Sequence, residues 1–230
     1  MRFLRVAAAA AALPLLVTAC SFGSGRSPSK PAGATSPANP DAGLLTGSQL
    51  KDMLAPSSWF PPGFNLDSTG SVNTGSTYES ASAAAGAPDC AHLDATAWIQ
   101  LAGPGSVSFA ENDYIDQDTS EQYAQEIDAY PGQGADAAMA GLRKLAATCP
   151  HFEDAQTSST VTVKLRKGPR LGDDSLTFRL ESPRWQGGTS LEAVRVGTAI
   201  ITVLYSGSSG TGTAQATKLA TAITKKLERT

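Results

Sequence analysis

The sequence predicts an α+β domain: one antiparallel sheet of about four to six strands with helices packed on one of its faces. Three observations predict it. Four stretches between residues 160 and 205 alternate apolar and polar residues with the period of two that a half-buried strand requires. Short links join them, so consecutive strands return antiparallel. Segments before and after repeat apolar residues at helical spacing, and such stripes need a sheet face to cover.

Taken in chain order, residues 1–19 read as a processing segment. Arg2 and Arg5 supply a basic start, and Val6 to Val17 an apolar stretch too short for a comfortable membrane span. It ends in "VTAC", which resembles the bacterial lipobox, and that resemblance implies a lipid on Cys20 and anchoring to a membrane surface. Residues 20–43 are rich in Ser, Pro, Gly and Ala, the composition of a flexible tether. The folded domain is expected over 44–230.

Within it, "LLTGSQLKDML" predicts a short helix with Leu50, Met53 and Leu54 on one face. Residues 65–82 are polar and Gly/Ser/Thr-rich, fitting a ragged strand or a long loop. Leu93, Ala97 and Leu101 predict a helix over 90–103. Val107 and Phe109 alternate with polar neighbours and predict a strand over 106–114. In "DTSEQYAQEIDAY", Asp118 and Glu121 have the spacing of a helix cap, and Tyr123, Ile127 and Tyr130 have helical spacing. A further helix, "ADAAMAGLRKLAATC", carries Met139, Leu142, Ala146 and Cys149 on one side, and Pro150 stops it. Strands follow over 160–166, 175–181, 190–196 and 199–205, the last two joined by a tight turn at Gly197-Thr198. Ala216, Leu219, Ile223 and Leu227 stripe a closing helix, with Lys225, Lys226 and Arg229 near its C-terminus.

Two triplets attract attention as chemistry. The chain's two histidines, His92 and His151, each lie two residues after a cysteine, in "CAH" and "CPH". With Cys20 assigned to lipid, Cys90 and Cys149 form an even pair in an exported domain, which reads first as a disulfide. A zinc or copper site is the alternative, but one intervening residue makes a cramped chelate. A Cys–His catalytic couple is the third reading. A bridge can bring the two histidines, His92 and His151, onto one small surface as a pH-sensitive pair; the plainer reading is two solvated surface residues beside a staple.

Other motifs carry less. Asp116 and Asp118 have calcium-loop spacing, yet Glu121 stands where the loop needs Gly and Ile127 where it needs Glu. "SQLK" lacks the companion motifs of a penicilloyl-serine enzyme. No nucleophile elbow, Walker loop or zincin motif is present, so a non-catalytic protein without cofactor or metal is expected. The net charge of −3 argues against a nucleic-acid partner. One cationic face is the candidate binding surface: Lys164, Arg166 and Arg179 point away from the predicted core, with Lys167 and Arg170 at the adjoining turn. Such a cluster focuses a field suited to an anionic envelope ligand.

The lipobox and tether, "LLTGSQLKDML", the segment led by Cys90, the helix ending "LAATCPHF", four strands and a closing helix together resemble the actinobacterial PknH-like extracellular sensor domain. The resemblance covers about 44–228, with Cys90 and Cys149 as its most specific match. It implies an extracytoplasmic, lipid-anchored binding or sensor domain whose sheet and helices frame a ligand cleft. An assembly lipoprotein contacting envelope polymers or protein partners is the second reading, and an envelope hydrolase the third. Residues 175–205 lack the second cysteine pair of kinase-attached members. These residues include no kinase, so the resemblance implies signalling through a partner.

Overall fold

The computed structural model describes residues 41–82, 87–208 and 212–230; the expected signal segment, Cys20 and most of the tether lie outside them. One antiparallel sheet of eight strands organises the domain, in the order β1-β2-β3-β8-β7-β6-β5-β4. A first meander comprises β1 (Phe64–Asn73), β2 (Ser108–Asp116) and β3 (Gln122–Ala129). Helix α2 (Gly134–Thr148) then carries the chain across the sheet to its far edge. A second meander returns through β4 (His151–Asp154), β5 (Ser159–Lys167), β6 (Asp174–Glu181), β7 (Gly188–Val196) and β8 (Ala199–Gly207), until β8 pairs with β3.

This corrects the expected fold class in two respects: there are eight strands instead of four to six, and helices cover both faces. On one face, α2 and two 3-10 helices (Cys90–Asp94 and Trp98–Ala102) bury Leu93, Trp98, Met139 and Leu142 against Phe178, Leu180, Leu191 and Leu204. On the other, α1 (Gly47–Met53) and α3 (Gly212–Leu227) bury Leu50, Leu219 and Ile223 against Ile127, Ile201 and Val203. Along β8 the even-numbered Ile200 and Leu204 serve the first core, and the odd-numbered Ile201 and Val203 the second. A central strand with two apolar faces is the physical reason that both need cover.

The largest local correction is the segment 118–130, expected as a helix and found as the turn and second strand of the β2–β3 hairpin. Tyr123 and Ile127 are four apart, a spacing that suits a helix face and equally a strand face. Here Tyr123, Gln125, Ile127 and Ala129 share one strand face. The polar member, Gln125, is fully buried; it accepts from the Ala55 N–H (2.8 Å) and donates to the Ala55 carbonyl (3.0 Å). Asp116, not Asp118, does the capping: its Oδ1 accepts from the N–H groups of Asp118 and Thr119 in the turn.

The expected helix over 90–103 is two short 3-10 helices. Ala95 between them is extended (φ −95°, ψ 157°), and Gly103 ends the second with a positive φ of 107°. The four C-terminal strands, the tight turn at Gly197 (φ 59°) and the stripe on α3 form as expected. Leu165, which alternation along β5 would turn inward with Val161 and Val163, is instead 40% exposed near the end of that strand.

One contact ties the 3-10 wall to α2. A Cβ built on Gly141 would overlap the carbonyl oxygen of Ala102, which is backbone and has little room to retreat. Gly141→Ala is therefore expected to lower the unfolding free energy by about 2 kcal/mol, despite the roughly 1 kcal/mol that Ala gains in helix propensity. Urea denaturation checks this, and an unchanged or raised midpoint contradicts the close approach.

Candidate functional site

Alternation on β2 and β3 decides which side chains meet. In their register Phe109 faces Asp128, Glu111 faces Glu126, and Asp113 faces Ala124. Glu111, Asp113, Glu126 and Asp128 therefore share one sheet face, the one covered by the 3-10 wall. All four are buried, the least shielded being Glu111 at 8% exposure. On the flanking strand Thr202 stands opposite Glu126, also buried and with its hydroxyl unpartnered.

Four acids buried together resist ionisation, because leaving water and approaching like charge both penalise the carboxylate. Burial, then the charges of Glu111 and Asp67, pushes Asp113 up to about 7. Burial likewise raises Glu111. Asp128 reaches about 7, chiefly through burial and against hydrogen bonds from Ser106 and Glu126. Glu126 is raised well above the ordinary carboxylate range by burial and next by the Asp128 charge. The Thr96 hydroxyl is a hydrogen-bond partner of both Glu111 and Asp113, its one proton serving one of them at a time. Even so, Glu111 Oε1, Asp113 Oδ1, Glu126 Oε2 and Asp128 Oδ2 have no hydrogen-bond partner among the described residues.

Two of these acids form part of a cavity of about 540 Å³, a volume in the range of small-molecule sites. Glu126, Asp128 and Phe109 come from the sheet, Ile99, Gln100 and Leu101 from the 3-10 wall, and His92 and Glu79 also contribute. No lysine or arginine lines it among the described residues. No group of three or more His, Cys, Asp and Glu among the described residues is placed to hold a metal ion.

The sequence reading missed this site. Its signal was present: if Val107 and Phe109 point inward, period two carries Glu111 and Asp113 inward as well. Glu126 and Asp128 were hidden by the helical reading of 118–130.

The residues singled out in the sequence are placed as follows. Cys90 and Cys149 are joined by a disulfide, with Cα atoms 5.6 Å apart, clamping the first 3-10 helix to the end of α2. His92 is exposed, pairs with Asp89 (Nδ1 to Oδ2, 3.3 Å) and lies at the cavity. His151 opens edge strand β4, exposed and opposite Thr162. No hydrogen bond joins the two imidazoles among the described residues. On the cationic face, Lys164 donates to Glu181 at 2.7 Å. Arg179 also faces Glu181 (3.6 Å) and donates to the Ser190 hydroxyl (2.7 Å). Arg166, Lys167 and Arg170 make no ion pair among the described residues, and Arg166 and Lys167 are exposed on β5 with Arg170 in the following loop.

No protein-family model matches the chain, and no curated protein matches it. Among solved structures, it is similar to the extracellular domain of PknH from Mycobacterium tuberculosis, with a TM-score of 0.54 and 12% sequence identity. The match covers 81% of this chain and 98% of that one. At that identity the likeness is one of fold. No described helix is long and apolar enough to cross a membrane.

Proposed function

We propose that this protein is a lipid-anchored, non-catalytic ligand-binding domain at the extracytoplasmic face of the cell membrane, of the sensor type that its fold resembles. The observation that carries this reading is the cavity between the 3-10 wall and the β2–β3 face, whose lining includes the buried, incompletely hydrogen-bonded acids Glu126 and Asp128. Buried polar atoms without partners are costly to a fold, and a bound ligand, ion or water is one way the cost is met. The "VTAC" motif and the disulfide support export and anchoring through Cys20.

A thermal-shift screen of the detergent-solubilised full chain against extracytoplasmic small molecules tests the reading. A discrete ligand should raise the midpoint at saturating concentration, since binding the native state alone stabilises it. Cys20→Ser should move the chain from the membrane to the soluble fraction. Stabilisation by anionic polymers alone, abolished by changing Arg166, Lys167 and Arg170, supports the assembly reading instead. The three exposed, unpaired cations are the observation that favours it.

A further inference from the structure

The geometry points to a small organic cation, bearing a primary ammonium or guanidinium group, as the ligand of the cavity, seated on Glu126 and Asp128. This rests on the reading of that cavity as the binding site and names the chemistry it selects.

Glu126 and Asp128 line the cavity, each is 3% exposed, and each keeps one oxygen without a partner. Behind them on the same face lie Glu111 and Asp113, also buried and also incompletely hydrogen bonded. The lining supplies no lysine or arginine to offset them, and its histidine is exposed and engaged with Asp89. Among the described residues the lining therefore holds two incompletely hydrogen-bonded acids and no lysine or arginine to pair with them.

Ligand classes divide on this basis. Above about pH 7, where Asp113 and Asp128 are ionised, an anion would be repelled in this poorly solvated site. A neutral polyol can meet the acceptors but leaves the mutual repulsion of the carboxyls in place. A bare divalent metal needs several convergent oxygen ligands, and the described residues offer no such group. An ammonium or guanidinium supplies three to five donors and a charge together, in the geometry that carboxylates accept best. The cavity exceeds one such group in volume, and Ile99, Leu101, Pro104 and Phe109 give its remainder an apolar character suited to an alkyl or ring body.

Protonation gives the site a signature. Asp67 from β1, Glu111 and Asp113 from β2, Glu126 and Asp128 from β3, and Tyr130 just beyond it are the ionisable groups around the floor; Glu79 and His92 line the same cavity. Raising the pH through about 7 ionises Asp113 and Asp128. A cation should therefore bind more tightly at pH 8 than at pH 5.5, releasing protons from the protein as it does so.

Calorimetry on the full chain with cadaverine and agmatine, against 1,5-pentanediol, N-acetylglucosamine, glutarate and calcium chloride, tests this. The expected result is binding of at least one of the two cations, at least tenfold tighter at pH 8 than at pH 5.5. Glu126→Gln with Asp128→Asn should weaken it at least tenfold while the urea midpoint of the variant stays at or above that of the wild type. The pH profile of the unmodified protein stands even if that variant does not fold. Uptake of the diol or the sugar without the amines overturns the inference and leaves the cavity reading intact. Binding of calcium alone, or of glutarate, overturns it as well. If no probe binds and no compound of the wider screen stabilises the protein, the inference and the cavity reading fail together.

Discussion

Replacing both Cys90 and Cys149 by Ala is expected to lower the unfolding free energy by about 4 kcal/mol, the chain-entropy value for a loop of this length. The bonded residues are 59 apart in sequence, so the bond removes a large share of the unfolded chain's freedom. For a domain of this size that corresponds to a melting temperature lower by roughly 10 °C. Changing both residues avoids leaving a lone reactive thiol.

The loss should be local as well as global. Cys90 begins the 3-10 helix that carries His92 and Leu93, and Cys149 sits at the C-cap of α2. Without the bond, the wall of the cavity keeps Leu93 and Trp98 in the core but loses its covalent clamp. Amide exchange over Cys90–Ala102 should accelerate more than exchange in β6–β8. Urea denaturation of the oxidised, reduced and double-Ala forms measures the global part. A double variant within about 1 kcal/mol of the oxidised protein contradicts the stabilising role of the bond.

The second large effect is a decline of stability with rising pH, set by carboxyls whose folded state prefers the proton. Asp113, Asp128 and Glu192 are pushed up to about 7, and Asp94 to about 6, in each case chiefly by burial. Ordinary Asp and Glu carboxyls titrate at 3.8 and 4.5. Between roughly pH 4 and pH 7 the native state therefore holds more protons than the unfolded chain, and stability falls as pH rises through that window. Asp67, Asp154 and Glu181 act oppositely: hydrogen bonds hold each below its ordinary value, so their contribution is lost only in stronger acid. Maximal stability is thus expected near pH 4, at the acid edge of that window.

Glu192 isolates this effect away from the cavity. It is fully buried on the α3 side of β7, accepts from the Thr217 hydroxyl at 2.8 Å through Oε2, and leaves Oε1 unpartnered. Gln preserves the acceptor and abolishes the titration. Relative to wild type, Glu192→Gln should gain up to about 3 kcal/mol between pH 5 and pH 8.5, the equivalent of a shift from 4.5 to about 7. Unfolding curves at the two pH values supply the measurement, and parallel pH profiles for the two proteins contradict it.

Legibility in the sequence followed the range of the interactions involved. β5 to β8 were readable because Val161/Val163, Leu176/Phe178/Leu180 and their partners alternate against polar neighbours, and α3 because its stripe has one period only. The hairpin at 118–130 was not, because Tyr123 and Ile127 fit both periods and the polar Gln125 weakened the alternation. Its burial is licensed by Ala55, 70 residues away, which local pattern cannot reveal. β4 is four residues long, too short to show a period at all.

What the sequence determined by itself were properties carried by neighbouring residues: the second meander, the helical stripes, and two cysteines whose number favoured a bridge. The tertiary structure alone decided that β8 pairs with β3 to make one sheet of eight, that α2 spans it, and that the 3-10 wall closes over Glu111, Asp113, Glu126 and Asp128. Those outcomes depend on which distant surfaces exclude water from one another. A carboxylate reads as an ordinary surface charge until the fold decides whether it keeps its solvent.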